Sequence, residues 1–190
     1  CLSTVLSAAA VALLLSTSGV VAQPQALLDN YTPVTLEELA NPPASDWLMW
    51  RGTPNNWAHS TLDQINKDNV DSLRLAWSWT MEPGKQETTP LVHDGIMFLP
   101  QACDFIEAVD ATDGTPLWEY RRATVDHVAP LSCANRNGTL YKDQLIIATR
   151  DAYIVSLNAT SGEVTWEQKI GDWTVGQHYS GGPQVFNGKV

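Results

Sequence analysis

His93-Asp94-Gly95-Ile96-Met97-Phe98-Leu99 leads into Phe105-Ile106-Glu107-Ala108-Val109-Asp110, then Ala111-Thr112-Asp113-Gly114 and Leu117-Trp118-Glu119-Tyr120. The chain then repeats itself. The second pass reads Lys142-Asp143-Gln144-Leu145-Ile146-Ile147-Ala148, Tyr153-Ile154-Val155-Ser156-Leu157-Asn158, Ala159-Thr160-Ser161-Gly162 and Val164-Thr165-Trp166-Glu167. A third pass begins at Asn187-Gly188. With Asp94, Asp143 and Asn187 as register marks the spacings are 49 and 44 residues; Trp77, Trp118 and Trp166 are 41 and 48 apart. Each period holds four short strand-like runs, with tight turns at Asp94-Gly95, Asp113-Gly114, Ser161-Gly162 and Asn187-Gly188. Glycine tolerates positive φ there, so two residues can reverse the chain while following strand twist.

Four strands per period of roughly 45 residues is the pattern of a β-propeller blade. The expected fold class is therefore all-β, a partial propeller of four-stranded blades. A blade buries its faces only against its neighbours, so the last tryptophan of each repeat should pack between blades. Two complete blades cannot close a ring. The chain starts at Cys1 and stops at Val190 inside a strand-like run, so it reads as truncated at both ends. The expected organisation is a signal-peptide remnant over 1–22, a lead-in over 23–72 and the first blades over 73–190.

Upstream of the repeats, Leu73, Leu75 and Trp77 alternate with Arg74 and Ala76 and predict a strand with one buried face. Residues 23–46, punctuated by Pro24, Pro33, Pro42 and Pro43, read as a surface-lying lead-in. Thr35 followed by Glu38 is a capping box for a short helix that Pro42 would end. Asn66 to Leu73 reads as a second short helix capped by Asn66. Residues 2–22 hold an apolar run centred on Val11 to Leu15, with Val20-Val21-Ala22 before Gln23, as in a cleaved export signal. Ser and Thr interrupt that run, and it falls short of the roughly 20 residues a membrane span needs. Export implies an oxidising compartment, where Cys103 and Cys133 could pair; the alternative is two free thiols. The formal net charge of −10 argues against nucleic acid as a partner.

In a blade, the loop into the first strand and the loop between the second and third strands lie on one end of the ring. Seven residues upstream of the register marks stand Glu87, Arg136 and Ser180. An acid, a base and a hydroxyl at one repeat position suit a polar ligand held across several blades; ordinary surface polarity is the plainer alternative. His59, His93, His127 and His178 show no metal-ligand spacing. There is no Cys-x-x-Cys-His for haem attachment.

A family resemblance enters with the segment before the repeats. Asp46-Trp47-Leu48-Met49-Trp50-Arg51-Gly52, Asn56-Trp57, Gln64-Ile65-Asn66 and Ala76-Trp77 resemble the opening of pyrroloquinoline-quinone (PQQ)-dependent alcohol dehydrogenases. The Ala-x-Asp/Ser-Gly-x-x-x-Trp pattern at Ala111–Trp118 and Ala159–Trp166 is similar to that family's tryptophan-docking repeat. The resemblance covers about residues 44–190. It implies an eight-bladed ring with PQQ over its axis, Ca²⁺ or a lanthanide beside the quinone, and an Asp as base. Glu87 matches a Glu that hydrogen-bonds PQQ, Arg136 an Arg that pairs with a PQQ carboxylate, and Ser180 a Thr that contacts PQQ. The family's metal ligands and catalytic Asp are expected beyond residue 190. So are those that would decide between an alcohol and a sugar or polyol substrate.

One departure is plain. Better-known members carry adjacent cysteines shortly before the Arg, whereas this chain has Ser132-Cys133. A Cys103–Cys133 bridge near the cofactor is the expected substitute. The resemblance implies the first part of a periplasmic quinoprotein dehydrogenase that oxidises a small alcohol and hands electrons to a cytochrome-type acceptor, with homo-oligomerisation left open. The rival readings are a non-catalytic propeller serving as an outer-membrane assembly scaffold and a quinoprotein sugar or polyol dehydrogenase.

Overall fold

Two four-stranded antiparallel sheets follow one another along the chain, in the order β1-β2-β3-β4 and β5-β6-β7-β8. A computed structural model describes residues 23–123, 133–136, 138–179 and 181–190. The export-signal stretch, His127, Ser132 and Ser180 lie outside the described residues. The first sheet comprises β1 (Leu91–His93), β2 (Ile96–Gln101), β3 (Phe105–Asp110) and β4 (Pro116–Arg121); the second comprises β5 (Gly138–Tyr141), β6 (Gln144–Ala148), β7 (Tyr153–Asn158) and β8 (Val164–Lys169). Each sheet is a meander of neighbouring strands, as expected for propeller blades. The middle strands carry Ile96, Phe98, Ile106 and Ala108 in one sheet and Leu145, Ile147, Val155 and Leu157 in the other, all buried in one continuous core.

The two sheets repeat at 48 residues. Ile96, Phe105, Pro116 and Trp118 recur as Gln144, Tyr153, Val164 and Trp166, and the bulge between Ala108 and Val109 recurs between Ser156 and Leu157. The first hairpin closes on the pair His93–Ile96, the second on Tyr141–Gln144, and a third on Phe186–Lys189. Equivalent first turn residues are therefore Asp94, Lys142 and Asn187, with φ of 49°, 56° and 49°. The aspartate of the second repeat has moved to the second turn position, so a register drawn through Asp143 is one residue late.

Repeat contacts explain the tryptophans. Trp77 donates its indole N–H to the Ala111 carbonyl at 3.2 Å, and Trp118 donates to that of Ala159 at 2.9 Å. Each ring lies flat on a turn glycine of the following blade. A Cβ on Gly114 would sit 2.8 Å from Trp77 Cε3, and one on Gly162 would sit 2.5 Å from Trp118 Cε3. The tryptophan that ends one repeat is thus clamped between blades.

The lead-in is less superficial than its prolines suggest. Helix α1 (Gln23–Asp29) and helix α2 (Leu36–Ala40) flank Val34, which is buried and bridges Lys142. The expected capping box of α2 is formed by Thr35 and Glu38. Trp47 exchanges two backbone hydrogen bonds with Val92 of β1, and the Leu48 carbonyl accepts from Leu140 of β5. Residues 47–49 therefore stitch the first strands of both blades together. Two expectations fail. Asn66 to Leu73 yields only a short 3₁₀ turn over Val70–Ser72, with Asn66 accepting from Asp68 N–H. The alternating run from Leu73 forms no strand, and Leu75 is exposed, because a strand needs a hydrogen-bonded neighbour and none stands beside it among the described residues.

Candidate functional site

Hydrogen bonds sort the loops into two ends. At one end, the lead into β1 meets the β2–β3 turn: Glu82 N–H donates to Gln101 Oε1, and Ala102 N–H to Gln86 Oε1. At the other, Ala111 N–H donates to the Gly95 carbonyl and Ala159 N–H to that of Asp143. The polar candidates gather at the first end.

Glu87 and Arg136 meet there. They lie on the loops entering β1 and β5, and Arg136 Nη2 stands 2.5 Å from Glu87 Oε2. That contact is an ion pair, and Glu87 Oε2 accepts no hydrogen bond among the described residues. Lys85 Nζ approaches the other oxygen, Glu87 Oε1, at 2.6 Å. The Lys85 hydrogen bond, with Arg136 nearby, holds the Glu87 carboxyl below the usual carboxylate range. Two cations around one carboxylate leave a net positive patch, and the Arg136 side chain remains 41% exposed. The backbones are tied as well, Thr89 N–H donating to the Arg136 carbonyl at 2.7 Å.

The 48-residue period corrects one detail. The residue equivalent to Glu87 is Asn135, and Arg136 stands one position later, opposite Thr88. Glu87 and Arg136 meet because their loops are adjacent, not because they share a repeat position.

Behind this pair lies a buried network that includes the expected Cys103–Cys133 bridge and, beyond the sequence reading, Asp104, Asn135 and Arg150. Cys103, in the turn Ala102–Asp104, is disulfide-bonded to Cys133, with Cα atoms 4.3 Å apart. Cys103 N–H also donates to the Cys133 carbonyl at 2.6 Å. Asp104 is fully buried: its Oδ2 accepts from Arg150 N–H at 3.1 Å and Arg150 Nε at 3.3 Å, and its Oδ1 accepts from Asn135 Nδ2 at 3.3 Å. Arg150, 4% exposed, donates from Nη1 to Cys133 Sγ at 3.1 Å. Burial pushes the Asp104 carboxyl upward, against the opposing pull of Arg150 and Asn135. A signal for these residues does exist. The repeat equivalent of Asp104 is Ala152, and that of Arg150 is Ala102. Each blade thus carries a charge where the other carries alanine.

The opposite end holds a second buried centre. His93 Nδ1 lies 2.6 Å from Asp46 Oδ2, and Nε2 lies 2.8 Å from the Thr32 carbonyl. Both partners are acceptors, so only the doubly protonated ring satisfies both. Burial alone would lower the His93 pKa; the hydrogen bonds to Asp46 and Thr32, with the Asp94 and Asp46 charges, outweigh it and raise it. This centre ties the lead-in to β1 and lies away from Glu87 and Arg136. Neither Glu87 nor Arg136 lines the two surface hollows, one between Trp47 and Ser60 in the lead-in, the other beside Ala148, Tyr179 and Pro183.

Comparison with known proteins accords with this architecture. A profile of the PQQ family, described as the glucose/ethanol/alcohol dehydrogenase β-propeller domain, matches residues 47–167. A 1-butanol dehydrogenase (quinone) of Thauera butanivorans is 35% identical over 181 residues, covering 92% of this chain and 29% of that protein. The solved quinohemoprotein alcohol dehydrogenase ADHIIG of Pseudomonas putida superposes with a TM-score of 0.78 at 27% identity, over 83% of this chain and 24% of that one. A europium-containing methanol dehydrogenase superposes with a TM-score of 0.73 at 29% identity, over 80% and 28%. The chain spans less than a third of the length of these relatives. It belongs to the PQQ-dependent dehydrogenase β-propeller family.

Proposed function

We propose that this chain is the first part of an exported, periplasmic quinoprotein alcohol dehydrogenase, and that Glu87, Arg136 and Ser180 form part of the wall that holds PQQ. The observation that carries the reading is the meeting of Glu87 and Arg136 from adjacent blades at one end of the sheets, with Lys85 beside them. The donor set fits the group. PQQ carries three carboxylates, and a half-exposed guanidinium within a net positive patch is a fitting partner for one of them. Glu87 Oε2, which accepts no aligned hydrogen bond among the described residues, retains room for a donor.

The chain's own residues bind and orient. Arg136 would fix one carboxylate edge, Glu87 would hold Arg136 and Lys85 in place, and the Ser180 hydroxyl would add a further contact. The bound quinone supplies the two-electron acceptor for the alcohol. Ca²⁺ or a lanthanide would be held by residues outside this stretch. The quinone, quinohemoprotein and europium-containing relatives support that cofactor set and a cytochrome-type acceptor. Alcohol is favoured over sugar because the relatives named are alcohol dehydrogenases.

The test uses the full-length protein reconstituted with PQQ and either Ca²⁺ or a lanthanide. It should reduce an artificial dye in the presence of a primary alcohol, and no alcohol-dependent reduction with either metal refutes the reading. Arg136→Ala should weaken PQQ retention by about ten- to a hundredfold, the range of a charge-assisted hydrogen bond. Unchanged retention refutes its role.

A further inference from the structure

Residues 133–136 form no regular secondary structure, yet they are pinned at nearly every residue. The Cys133 carbonyl is held by Cys103 N–H, and the Cys133 sulfur by the disulfide and Arg150 Nη1. The Asn135 amide is held by Asp104, and the Arg136 carbonyl by Thr89 N–H. Two of these ties end on the buried Asp104–Arg150 pair, which spans the β2–β3 turn of one blade and the β6–β7 turn of the next. Burying such a pair gains little stability over apolar side chains of similar size. Its repeat equivalents are alanines, so the blade fold itself does not call for it. What the pair does is aim a loop.

We infer that Asp104 and Arg150 are positioning residues for cofactor binding: together with the Cys103–Cys133 bridge they fix the 133–136 loop so that Arg136 is presented beside Glu87. The inference rests on the PQQ-wall reading above. Asp104 grips the loop through Asn135, one residue before Arg136. Arg150 grips it through Cys133, three residues before. Residues 133–136 have no ladder of their own, so loss of both grips leaves them held only by the disulfide and the Cys103 and Thr89 backbone bonds, and the Arg136 side chain can shift from the Glu87 carboxylate. Neither residue need touch the ligand.

The experiment is a double-mutant cycle on the full-length apoprotein, titrated with PQQ at saturating Ca²⁺ and followed by calorimetry. Asp104→Asn alone strands the buried Arg150 charge and risks unfolding. The working variant is therefore the charge-free pair Asp104→Leu/Arg150→Met, which leaves no buried charge unpaired. It should weaken PQQ binding by roughly tenfold, as loss of an orienting shell does, while the unfolding midpoint of the apoprotein changes little. In an Arg136→Ala background the same pair should cause no further loss, because its effect passes through Arg136. Undiminished affinity in the pair variant, or a full additional loss in the Arg136→Ala background, overturns the inference. If Arg136→Ala itself leaves PQQ affinity intact, the wall assignment fails instead. Should the pair variant not fold, Arg150→Lys carries the same cycle: it keeps the charge near Asp104 but loses the Nη1 reach to Cys133.

Discussion

Gly162→Ala isolates the contact on which the blade repeat depends. The glycine has φ of +73°, and an added Cβ would sit 2.5 Å from Trp118 Cε3 and 2.9 Å from Cδ2. The ring cannot drift away cheaply, since its indole N–H is bonded to the Ala159 carbonyl at 2.9 Å and Phe98 packs at 5.9 Å between centroids. Two costs combine. An L-residue in the left-handed region costs about 1–2 kcal/mol. Displacing the ring costs about 1–3 kcal/mol as overpacking, with about 1 kcal/mol more if the indole hydrogen bond is lost. Gly176 separates these costs, because its φ is +84° and an added Cβ there meets nothing within 4 Å. Gly176→Ala should therefore lose only the backbone part. Urea unfolding of the full-length protein, followed by tryptophan fluorescence at constant m-value, should place Gly162→Ala about 2–4 kcal/mol below Gly176→Ala. Equal losses in the two variants would show that Trp118 does not bear on Gly162, and the account of blade docking would fall.

Two further outcomes follow from the same contacts. The Cys103–Cys133 bridge closes a loop with a sequence separation of 30, so Cys103→Ser/Cys133→Ser should lower unfolding stability by about 3–4 kcal/mol on chain-entropy grounds; an unchanged denaturation midpoint in full-length protein would contradict it. His93 has a raised pKa, held up by Asp46, Thr32 and Asp94 against burial. Its charge-linked stabilisation is therefore complete below its unfolded value of about 6.5 and is lost as pH climbs through the higher folded value. Full-length protein should lose stability over that rise more steeply than His93→Gln, and parallel pH profiles for the two would refute the charged-histidine centre.

The parts of this fold legible in the sequence are those enforced by repeating sterics. Trp118 must meet a glycine in the next blade, and Gly162 stands in the same Ala-x-x-Gly turn as Gly114, so spacing alone reveals the blade. The capping box of α2 was equally legible, because Thr35 and Glu38 complete it within four residues. The run at Leu73 misled because alternation records a pattern of faces and cannot supply the neighbouring strand that makes a ladder. The register slip at Asp143 has a different cause. Aspartate serves at either position of a tight turn, so matching residue identity moved the frame by one, while the backbone kept Lys142 at the positive-φ position.

The candidate site divides along the same line. Glu87 and Arg136 were found through a repeat position they do not share, and they meet because the Thr89–Arg136 backbone bond draws neighbouring loops together. Asp104 and Arg150 behind them were missed because searching for repeats rewards likeness, and both are unlike their equivalents Ala152 and Ala102. In a ring of near-identical blades, packing needs the residues that recur. A ligand that is not itself symmetric needs residues that do not. A buried charge standing where the neighbouring repeat has alanine is thus the place to look for what a blade does beyond holding its ring together. By that criterion Asp104 and Arg150 mark the end of the sheets where the Glu87–Arg136 pair also lies.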